Sequence, residues 1–328
     1  MIAIIGGSGF IGSRLAKRFV DNKVEFIIVD KVKSPFFNDK TLIADVRDFE
    51  ALKKSIIGVS AVINLAAEHR DDVSPKSLYD EVNVQGAINV CRACIELDIH
   101  QLIFTSSVAV YGFAPKGTDE TGEINYFNDY GRTKWLAENV YRDWLIKDNK
   151  NSLTIIRPTV VFGERNRGNV YNLLKQISSG MFPMIGNGKN LKSMAYVENV
   201  AAFIEYSMGN KTGEYLFNYV DKPDFDMNSL VLSVKSSLGK KRKTGLHWPY
   251  WIGFLGGCFF DFIAMIINKK LPISSIRIKK FCSDSSFDTS VSMLSDFIVP
   301  ESLENGIKKT IQFEFIEKKD ESILFYTE

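Results

Sequence analysis

The sequence predicts an α/β protein with a doubly wound parallel sheet and a second, smaller mixed α/β lobe. Short apolar runs alternate with helix-length amphipathic stretches up to residue 158. The first run leads directly into a glycine-rich turn, as in a strand–turn–helix unit. After Pro158 the loops lengthen, and Gly, Asn and Pro become more frequent. We therefore predict one large domain over 1–158, to which 196–220 returns, and a smaller lobe formed by 159–195 and 221–328.

The first strand and the turn after it predict a phosphate-binding site. Ile2–Ile5 is a short apolar run typical of a buried parallel strand. It leads into Gly6, Gly9 and Gly12, before a helix predicted for 13–20. Gly6 permits the tight turn, Gly9 lets the backbone approach a pyrophosphate, and Gly12 allows close helix packing. The start of this helix is therefore predicted to bind the pyrophosphate of a dinucleotide.

The second strand ends in an acid that selects the dinucleotide. Glu25–Val29 is the second apolar run, and Asp30 follows it. A carboxylate here accepts hydrogen bonds from both ribose hydroxyls of NAD and repels the 2′-phosphate of NADP, although two lysines follow closely. We predict NAD as the cofactor, with Phe10 and Ile11 of the turn also binding it.

Residues at the ends of the later strands fall on the same edge of the sheet, where ligands of doubly wound sheets bind. Asp45 follows the third strand, and its carboxylate can hold the adenine amino group. Ala66 and Ala67 follow the fourth strand, where small side chains let the chain pass close to the cofactor. Ser107 follows the fifth strand. The later predicted strands are Leu42–Ala44, Ala61–Leu65, Leu102–Phe104 and Thr154–Ile156.

Tyr130 and Lys134 are the candidate catalytic pair. They are four residues apart in a helical pattern that runs to about Lys147, so both side chains lie on one helix face. A Lys ammonium beside a phenol favours the phenolate, and a phenol with a lowered pKa is a usable general base near neutral pH. The spacing by itself is also common on solvated helix faces.

The composition is that of a soluble globular protein, with 45% hydrophobic and 24% charged residues. The net charge is only +2, but residues 231–283 carry ten Lys or Arg against one acid, Asp261, which indicates an anionic partner or surface. Cys91 and Cys94 are predicted to pack in the core as reduced thiols, which suits a cytoplasmic protein without a signal peptide. We expect neither a bound metal nor a nucleic-acid partner.

These motifs and several others occur in one order along the chain: Gly6-x-x-Gly9-x-x-Gly12, Asp30, Asp45-Val46, Asn64-Leu65-Ala66-Ala67, Asn83-Val84-Gln85-Gly86, Ser107, Tyr111-Gly112, Tyr130-x-x-x-Lys134 and Arg157-Pro158. The order resembles that of the extended short-chain dehydrogenase/reductases, the NAD-dependent sugar epimerase/dehydratase family with a Rossmann cofactor domain. The resemblance covers nearly the whole chain.

The resemblance implies a retained NAD and a Tyr130 base assisted by Lys134 and Ser107. Tyr130 would remove the proton of a sugar 4-hydroxyl while the C4 hydride passes to NAD, and Ser107 would hydrogen-bond the oxygen at C4. Hydride return to the opposite face would invert C4. A homodimer built from the helices around 75–97 and 130–147 is also implied. The resemblance extends the predicted cofactor residues to Val46, Leu65, Asn83, Arg157 and Pro158.

One departure from the family pattern reduces the number of reaction types that we expect. Sugar 4,6-dehydratases carry an Asp-Glu pair directly after the active-site Thr or Ser, whereas Val108 and Ala109 stand here. Neither side chain can act as an acid or a base, so we expect no dehydration.

Longer stretches narrow the resemblance further. Residues 66–75, 162–171 and 193–197 are similar to the bacterial 4-epimerases that convert N-acetylglucosaminyl-diphospho-undecaprenol to its N-acetylgalactosaminyl counterpart in O-antigen and lipopolysaccharide synthesis. Relatives of that kind are also described as epimerases of the nucleotide sugar UDP-N-acetylglucosamine. The implied substrate is thus a sugar diphosphate, linked either to a lipid or to UDP.

The diphosphate of either substrate needs cations and N–H groups. Lys192 stands where related nucleotide-sugar enzymes carry an Arg, and a Lys offers a point charge rather than a bidentate fork, which disfavours a UDP-sugar. For Arg165 and Arg277, the sequence is equally compatible with phosphate binding and with a solvated position at the protein surface. His69 follows the fourth strand, and a substrate-facing and a structural role both remain open. The candidate substrate residues are Ser107, Arg165, Arg167, Asn169, Lys192 and Arg277.

Residues 248–267 form an apolar stretch with one charge, Asp261, and basic clusters on both sides. Its length could just cross a bilayer, but an acid and several Gly residues disfavour a spanning helix. A helix lying on the anionic cytoplasmic face of the inner membrane suits the basic flanks. The third alternative is a core helix of the small lobe.

Three functions remain compatible with the sequence. The first is an NAD-dependent sugar 4-epimerase, with a lipid-linked substrate preferred over UDP-N-acetylglucosamine or UDP-glucose. The second is a net NAD-dependent oxidoreductase acting on a keto sugar or a sterol-like alcohol. The third, a non-catalytic dinucleotide sensor, is disfavoured because Tyr130, Lys134 and Ser107 are all present.

Overall fold

The computed structural model describes residues 1–70, 73–180, 182–241, 243–267, 274–317 and 323–327, and it leaves out the side chains of Arg277 and Lys280. The strands are β1 (Ile2–Ile5), β2 (Phe26–Asp30), β3 (Thr41–Ile43), β4 (Ala61–Asn64), β5 (Gln101–Thr105), β6 (Ser152–Pro158), β7 (Val160–Phe162), β8 (Met184–Ile185), β9 (Leu191–Tyr196), β10 (Gly213–Tyr219), β11 (Asp221–Asp226) and β12 (His247–Trp248). The α-helices are α1 (Phe10–Asp21), α2 (Phe49–Ser55), α3 (Ser77–Tyr79), α4 (Gly86–Glu96), α5 (Asp129–Leu145), α6 (Asn169–Ser179), α7 (Val197–Tyr206), α8 (Met227–Ser237), α9 (Tyr250–Ile267), α10 (Ser275–Cys282) and α11 (Leu303–Ile311).

The predicted doubly wound sheet is confirmed. Seven strands lie in the order β3-β2-β1-β4-β5-β6-β10, and every neighbouring pair is parallel. The strand order reverses between β1 and β4, which places a crevice at their carboxyl ends. The six predicted strands are all present with shifted ends, and β10 is a seventh, at the edge next to β6. Its Glu, Tyr and Asn residues interrupt the apolar run that identifies central strands.

Both faces of the large sheet are covered by helices, which explains the continuous apolar runs of its strands. Ile4 packs with Phe19 and Phe203 on the face covered by α1 and α7. Ile5 packs on the other face with Val90 and Tyr141, from α4 and α5. Successive residues of one strand thus face opposite cores, as the pleat requires. Cys91 and Cys94 are buried free thiols in the second core, as the sequence predicted.

The long helix predicted for 75–97 is present in three parts. The short helix α3 continues into a π-helical segment, Asp80–Gln85, and then into α4. The π-helical segment contains Asn83, whose side chain points into the protein and is buried. A π-helical turn of this kind often occurs at a functional site.

The smaller lobe is mixed, as predicted. A three-stranded sheet has the order β11-β9-β7, with β9 parallel to β7 and antiparallel to β11. The strands β8 and β12 form a separate parallel pair. The lobe has its own core, in which Leu174 of α6, Leu230 of α8 and Ile307 of α11 are fully buried.

The helix α9 is exposed, which argues against the alternative in which it is a core helix of the small lobe. Of its residues only Gly257 is buried. Within the described residues it is the one helix whose length and apolar composition would suffice to cross a bilayer, which is weak support for a span.

Candidate active site

A cavity of about 910 Å³ lies at the carboxyl ends of the central strands of the large sheet. It reaches from the glycine-rich turn, past the ends of β2 and β4, to Ser107 and the start of α5. It brings together most of the predicted site residues. Those that line it are Gly6, Gly9, Phe10, Ile11, Gly12, Asp30, Asp45, Val46, Leu65, Ala66, Ala67, Ser107, Tyr130, Lys134, Pro158 and Asn169.

The glycine-rich turn is packed so closely that two of its positions admit only glycine. Gly6 has φ +75°, and a Cβ there would lie 2.5 Å from the backbone nitrogen of Ala66. A Cβ on Gly12 would lie 2.5 Å from Gly7 Cα. The helix α1 begins after Gly9 without a side-chain cap, so no side chain occupies the N–H groups of its first turn. A diphosphate fits this position, because free N–H groups and the helix dipole both favour an anion.

The Asp30 carboxylate is fixed at the edge of the cavity. It accepts hydrogen bonds from the backbone N–H groups of Ser8 (3.0 Å) and Val32 (3.2 Å). Burial raises its pKa, while these backbone hydrogen bonds oppose the rise. A carboxylate has four lone-pair positions, so oxygen sites remain for the two hydroxyls of a ribose. The residues present therefore fit NAD.

The Asp45 carboxylate also reaches the cavity, but it has a partner within the chain. The Arg47 guanidinium donates two hydrogen bonds to it, at 3.0 and 2.7 Å, and the Arg47 backbone N–H donates a third at 2.9 Å. These hydrogen bonds lower the pKa of Asp45. The carboxylate therefore stays ionised and keeps a defined orientation. Its predicted contact with an adenine amino group uses the lone pairs that Arg47 leaves open.

The first turn of α5 brings the candidate catalytic residues together. The Asn128 side chain accepts a hydrogen bond from Gly131 N (2.9 Å) and so begins the helix. Gly131 permits a close approach, since a Cβ there would lie 2.4 Å from Ala109 O. This contact places the Tyr130 phenol within hydrogen-bonding distance of Ser107. Lys134, one turn later, is buried and donates to Thr105 O at 2.7 Å.

The pKa values of this pair differ from the expectation that Lys134 lowers the pKa of Tyr130. Burial raises the pKa of Tyr130 to about 12, and the hydrogen bond with Ser107 opposes the rise. Burial lowers the pKa of Lys134 to about 7, against the opposing charge of Glu138. Desolvation is the largest cause of both shifts. In the protein alone, Tyr130 is a neutral phenol at neutral pH.

Two predicted cofactor residues do not line the cavity. Asn83 exchanges hydrogen bonds with the backbone of Glu68 (2.8 and 2.9 Å) and donates to Thr133 (2.9 Å). It therefore fixes the loop after β4 against α5. Arg157 is buried in a bidentate pair with Glu138, at 2.8 and 2.6 Å. Both side chains have structural roles, because their hydrogen-bond partners belong to the protein itself.

The predicted cations are likewise away from the cavity wall. Lys192 donates to Ser283 O at 2.8 Å, and burial lowers its pKa to about 8. Arg165 donates to Ile323 O at 3.0 Å, and Arg167 pairs with Glu314 at 3.0 Å. The side chain of Arg277 lies outside the described residues. Of the predicted substrate residues whose side chains the structure describes, only Ser107 and Asn169 line the cavity.

Sequence reasoning missed four lining residues from the last part of the chain. Ser285 and Phe287 follow α10, while Tyr326 and Thr327 come from the last described segment. No motif precedes them, and they reach the site only because the small lobe folds back over the sheet. His69 does line the cavity, and its buried Nε2 atom has no hydrogen-bond partner.

The NAD dependent epimerase/dehydratase family matches residues 2–218. The chain is also 49% identical over its full length to an Escherichia coli O157:H7 protein, N-acetyl-alpha-D-glucosaminyl-diphospho-ditrans,octacis-undecaprenol 4-epimerase, of which 99% is covered. The chain belongs to the NAD dependent epimerase/dehydratase family. Its members use the cofactor for which the glycine turn and Asp30 are suited.

Solved structures of the same fold agree with this assignment. The UDP-glucose 4-epimerase of Thermotoga maritima, solved with UDP-glucose, superposes with a TM-score of 0.74 at 20% identity over 95% of this chain and 97% of that one. MoeE5 in complex with UDP-glucose and NAD gives a TM-score of 0.73 at 18% identity, over 95% and 97% of the two chains. At these identities the likeness shows the fold of the family.

The buried ion pair predicts a stability effect without a cofactor effect. Glu138→Gln leaves the Arg157 charge without its counter-charge, and breaking such a buried pair costs about 3–5 kcal/mol of unfolding free energy. Urea unfolding measures this loss. The NAD content of the folded fraction should equal that of the wild type.

Asp21→Asn is the matched control, because its pair with Lys17 (2.7 Å) lies at the surface and is not connected to Glu138. This variant should lose less than about 1 kcal/mol. A Glu138→Gln protein of normal stability that had lost NAD would contradict the structural role of the pair.

Proposed function

We propose that the protein is an NAD-dependent sugar 4-epimerase that interconverts N-acetylglucosamine and N-acetylgalactosamine on undecaprenyl diphosphate. The observation that carries the proposal is the Ser107, Tyr130 and Lys134 set on one cavity wall, in a chain 49% identical over its full length to a 4-epimerase of that substrate. The reaction would supply N-acetylgalactosamine for O-antigen and related surface polysaccharides.

The residues of the chain hold the sugar oxygen and move its proton. When bound, NAD would supply the acceptor and donor for the hydride of the sugar carbon, and its oxidised nicotinamide ring would add a positive charge. A positive charge near the phenol favours the phenolate, which offsets the raised pKa of Tyr130. Tyr130 then takes the proton of the 4-hydroxyl and later returns it. Ser107, which hydrogen-bonds the phenol, would also hydrogen-bond the same sugar oxygen. Lys134 Nζ lies 5.9 Å from the centroid of the Tyr130 ring, where its protonated form favours the phenolate.

The wall next to Ser107 suits epimerisation rather than elimination. Val108 and Ala109 line the cavity in the place of the carboxylates of a dehydratase. Elimination of water needs an acid and a base, and neither side chain supplies one. Together with Phe287, these residues also offer the keto sugar no side-chain hydrogen bond that would hold it in a single orientation. The sugar can therefore turn before its C4 is reduced.

Tyr130→Phe tests the role of the phenol. The variant keeps the ring but cannot exchange a proton, so turnover should fall by about 10²–10⁴-fold. Its NAD content should stay at the wild-type level, since the turn and Asp30 are unchanged. Product analysis by chromatography measures the turnover.

Tyr126→Phe is the matched control, because this tyrosine lies near the start of α5 but does not line the cavity. It should keep wild-type turnover. Near-normal activity of Tyr130→Phe would exclude the phenol as the proton carrier.

The exposed face of α9 supports a lipid-linked substrate. Trp251, Leu255, Phe259, Phe262 and Ile266 are between 56% and 66% exposed and recur every three to four residues. They form one apolar stripe, which we call the α9 stripe. Basic residues flank it in the sequence, so the stripe suits the surface of an anionic bilayer.

The one acid in α9 has a structural role. The Asp261 carboxylate accepts a hydrogen bond from Ser275 N (3.0 Å) and so satisfies the start of α10. Gly257 lets the two helices approach, since a Cβ there would lie 2.8 Å from Ser275 Cα. The two helices therefore pack together as a pair, and Asp261 faces α10 rather than the stripe.

The end of α10 connects this pair to the cavity. Asn190 donates to Phe281 O and Lys192 donates to Ser283 O, both at 2.8 Å. Two residues later, Ser285 lines the cavity. A lipid held at the α9 stripe would therefore have its diphosphate near the mouth of the site. The proposed location is the cytoplasm, at the inner face of the membrane.

Product analysis with two donors tests the substrate class. UDP-N-acetylglucosamine and N-acetylglucosaminyl-diphospho-undecaprenol in membranes are offered side by side without added NAD. We expect conversion of the lipid-linked sugar alone, because Lys192 is bound within the chain and the α9 stripe faces outward.

Conversion of the UDP-sugar alone would refute the lipid-linked substrate but keep the epimerase. Turnover that appears only with added NAD or NADH would instead identify a net oxidoreductase.

Vesicle flotation tests the α9 stripe. Wild-type protein should float with vesicles of phosphatidylethanolamine and phosphatidylglycerol. Leu255→Glu/Phe259→Glu should stay in the bottom fraction, since removing each apolar side chain from the bilayer costs about 2 kcal/mol or more. Ile146→Glu is the matched control, because this residue is 82% exposed but lies at the end of α5.

Equal flotation of the wild type and the double variant would exclude the stripe as the membrane contact. A change in the molecular mass of the lipid-free protein on the double substitution, measured by light scattering, would assign the stripe to a second copy instead.

The homodimer implied by the family is a separate proposal. It uses α4 and α5, where Ile88 and Ile95 are exposed.

A further inference from the structure

Residues 323–327, which we call the strap, run alongside the loop that precedes α6. The backbone N–H of Phe325 donates to Arg165 O at 2.9 Å, and Arg167 N–H donates to Phe325 O at 2.7 Å. These two bonds form a parallel bridge between Asn166 and Phe325. The strap is therefore held by backbone hydrogen bonds as well as by side chains.

The Phe325 ring joins two elements of the cofactor cavity. Its centroid lies 5.8 Å from that of Phe10 and 6.4 Å from that of Phe36. Phe10 is the first residue of α1, where the fold presents free N–H groups to a pyrophosphate. Phe36 lies in the loop after Asp30, which is suited to the adenosine ribose. The strap thus bridges the two elements that hold the phosphate–adenosine half of a dinucleotide.

The end of the strap enters the cavity wall. Thr327 Oγ1 donates to Asn166 Oδ1 at 3.2 Å. A Cβ on Gly168 would lie 2.3 Å from Thr327 Oγ1, so a larger residue at 168 would displace the strap. Tyr326 and Thr327 both line the cavity. These two residues are therefore available to a bound dinucleotide.

The arginines expected to bind substrate phosphate anchor the strap instead. Arg165 Nη1 donates to Ile323 O at 3.0 Å. Arg167 pairs at 3.0 Å with Glu314, whose side chain is fully buried and also accepts Arg165 N–H at 2.7 Å. The strap is thus connected to the small lobe through a buried carboxylate.

We propose that the strap is the outer wall of the cofactor site and that Tyr326 and Thr327 contact the phosphate–adenosine half of NAD. The inference rests on the NAD-dependent epimerase function proposed above. An epimerase takes a hydride and returns it in the same turnover, so a cofactor lost between the two steps stops the reaction. A wall that slows NAD release serves this need, while the sugar enters at the other end of the cavity.

The test measures NAD directly, without any sugar. Tyr326→Ala and a chain lacking residues 323–328 are compared with the wild type. The rate at which bound NAD exchanges with excess fluorescent etheno-NAD is followed, together with the NAD released on denaturing the purified protein. The shortened chain should exchange NAD at least about tenfold faster, and Tyr326→Ala about threefold or more, since each 1.4 kcal/mol of lost contact is tenfold.

Ile316→Ala is the matched control, because this exposed residue lies before the strap and outside the cavity lining. It should exchange NAD at the wild-type rate. The Tyr326 side chain is 67% exposed, so its removal should leave folding intact and decide the question even if the shortened chain is unstable.

Wild-type exchange rates in Tyr326→Ala would overturn the proposal, whatever the sugar activity. Faster exchange in a protein that epimerises no sugar would support the strap and refute only the proposed reaction. Faster exchange in Ile316→Ala as well would also overturn it, because the effect would then not belong to the strap.

Discussion

The buried pair between Glu138 and Arg157 is the interaction on which the active site depends. Glu138 lies on α5, two turns beyond Tyr130, and Arg157 lies at the end of β6. Ser106, beside the catalytic Ser107, donates to Glu138 at 2.5 Å. Arg157 donates to the Tyr111 hydroxyl at 2.6 Å, which in turn donates to Asn218 at 2.8 Å. The network thus fixes the helix of the base to the ends of β5, β6 and β10. It is satisfied throughout, which is the condition under which a buried charge can be kept.

The close packing around this network also desolvates Tyr130 and Lys134. The close packing that brings Tyr130 to Ser107 also excludes water from Tyr130 and Lys134. It raises the pKa of Tyr130 and lowers that of Lys134, so the neutral form of each side chain is favoured. Near neutral pH, these two side chains therefore carry less charge than the same groups would in water. A bound cation next to the phenol has a large effect in such an environment, because the local dielectric is low. The proposed function would therefore couple proton transfer at Tyr130 to the presence of the oxidised cofactor.

The small lobe contributes at both ends of the cavity. At one end, the strap with Tyr326 and Thr327 lies next to the glycine-rich turn. At the other, Ser285 follows the α9–α10 pair with its exposed apolar stripe. Arg165 and Lys192 of the lobe donate hydrogen bonds that hold these segments in place. The large sheet thus carries the candidate catalytic residues, and the small lobe adds lining residues at both ends of the cavity.

Local patterns in the sequence were enough to predict the fold class, the use of NAD and the candidate catalytic set. Each of these depends on local rules: apolar runs, glycines that the turn requires, an acid at a strand end, and a Tyr and Lys on one helix face. Only the tertiary structure decided the roles of Asn83, Arg157, Arg165 and Lys192. Whether a polar side chain binds a ligand or another part of the chain depends on partners distant in sequence, such as Glu138 for Arg157. The strap and the exposed α9 also needed the tertiary structure, because an apolar segment looks the same in sequence whether the fold covers it or leaves it open.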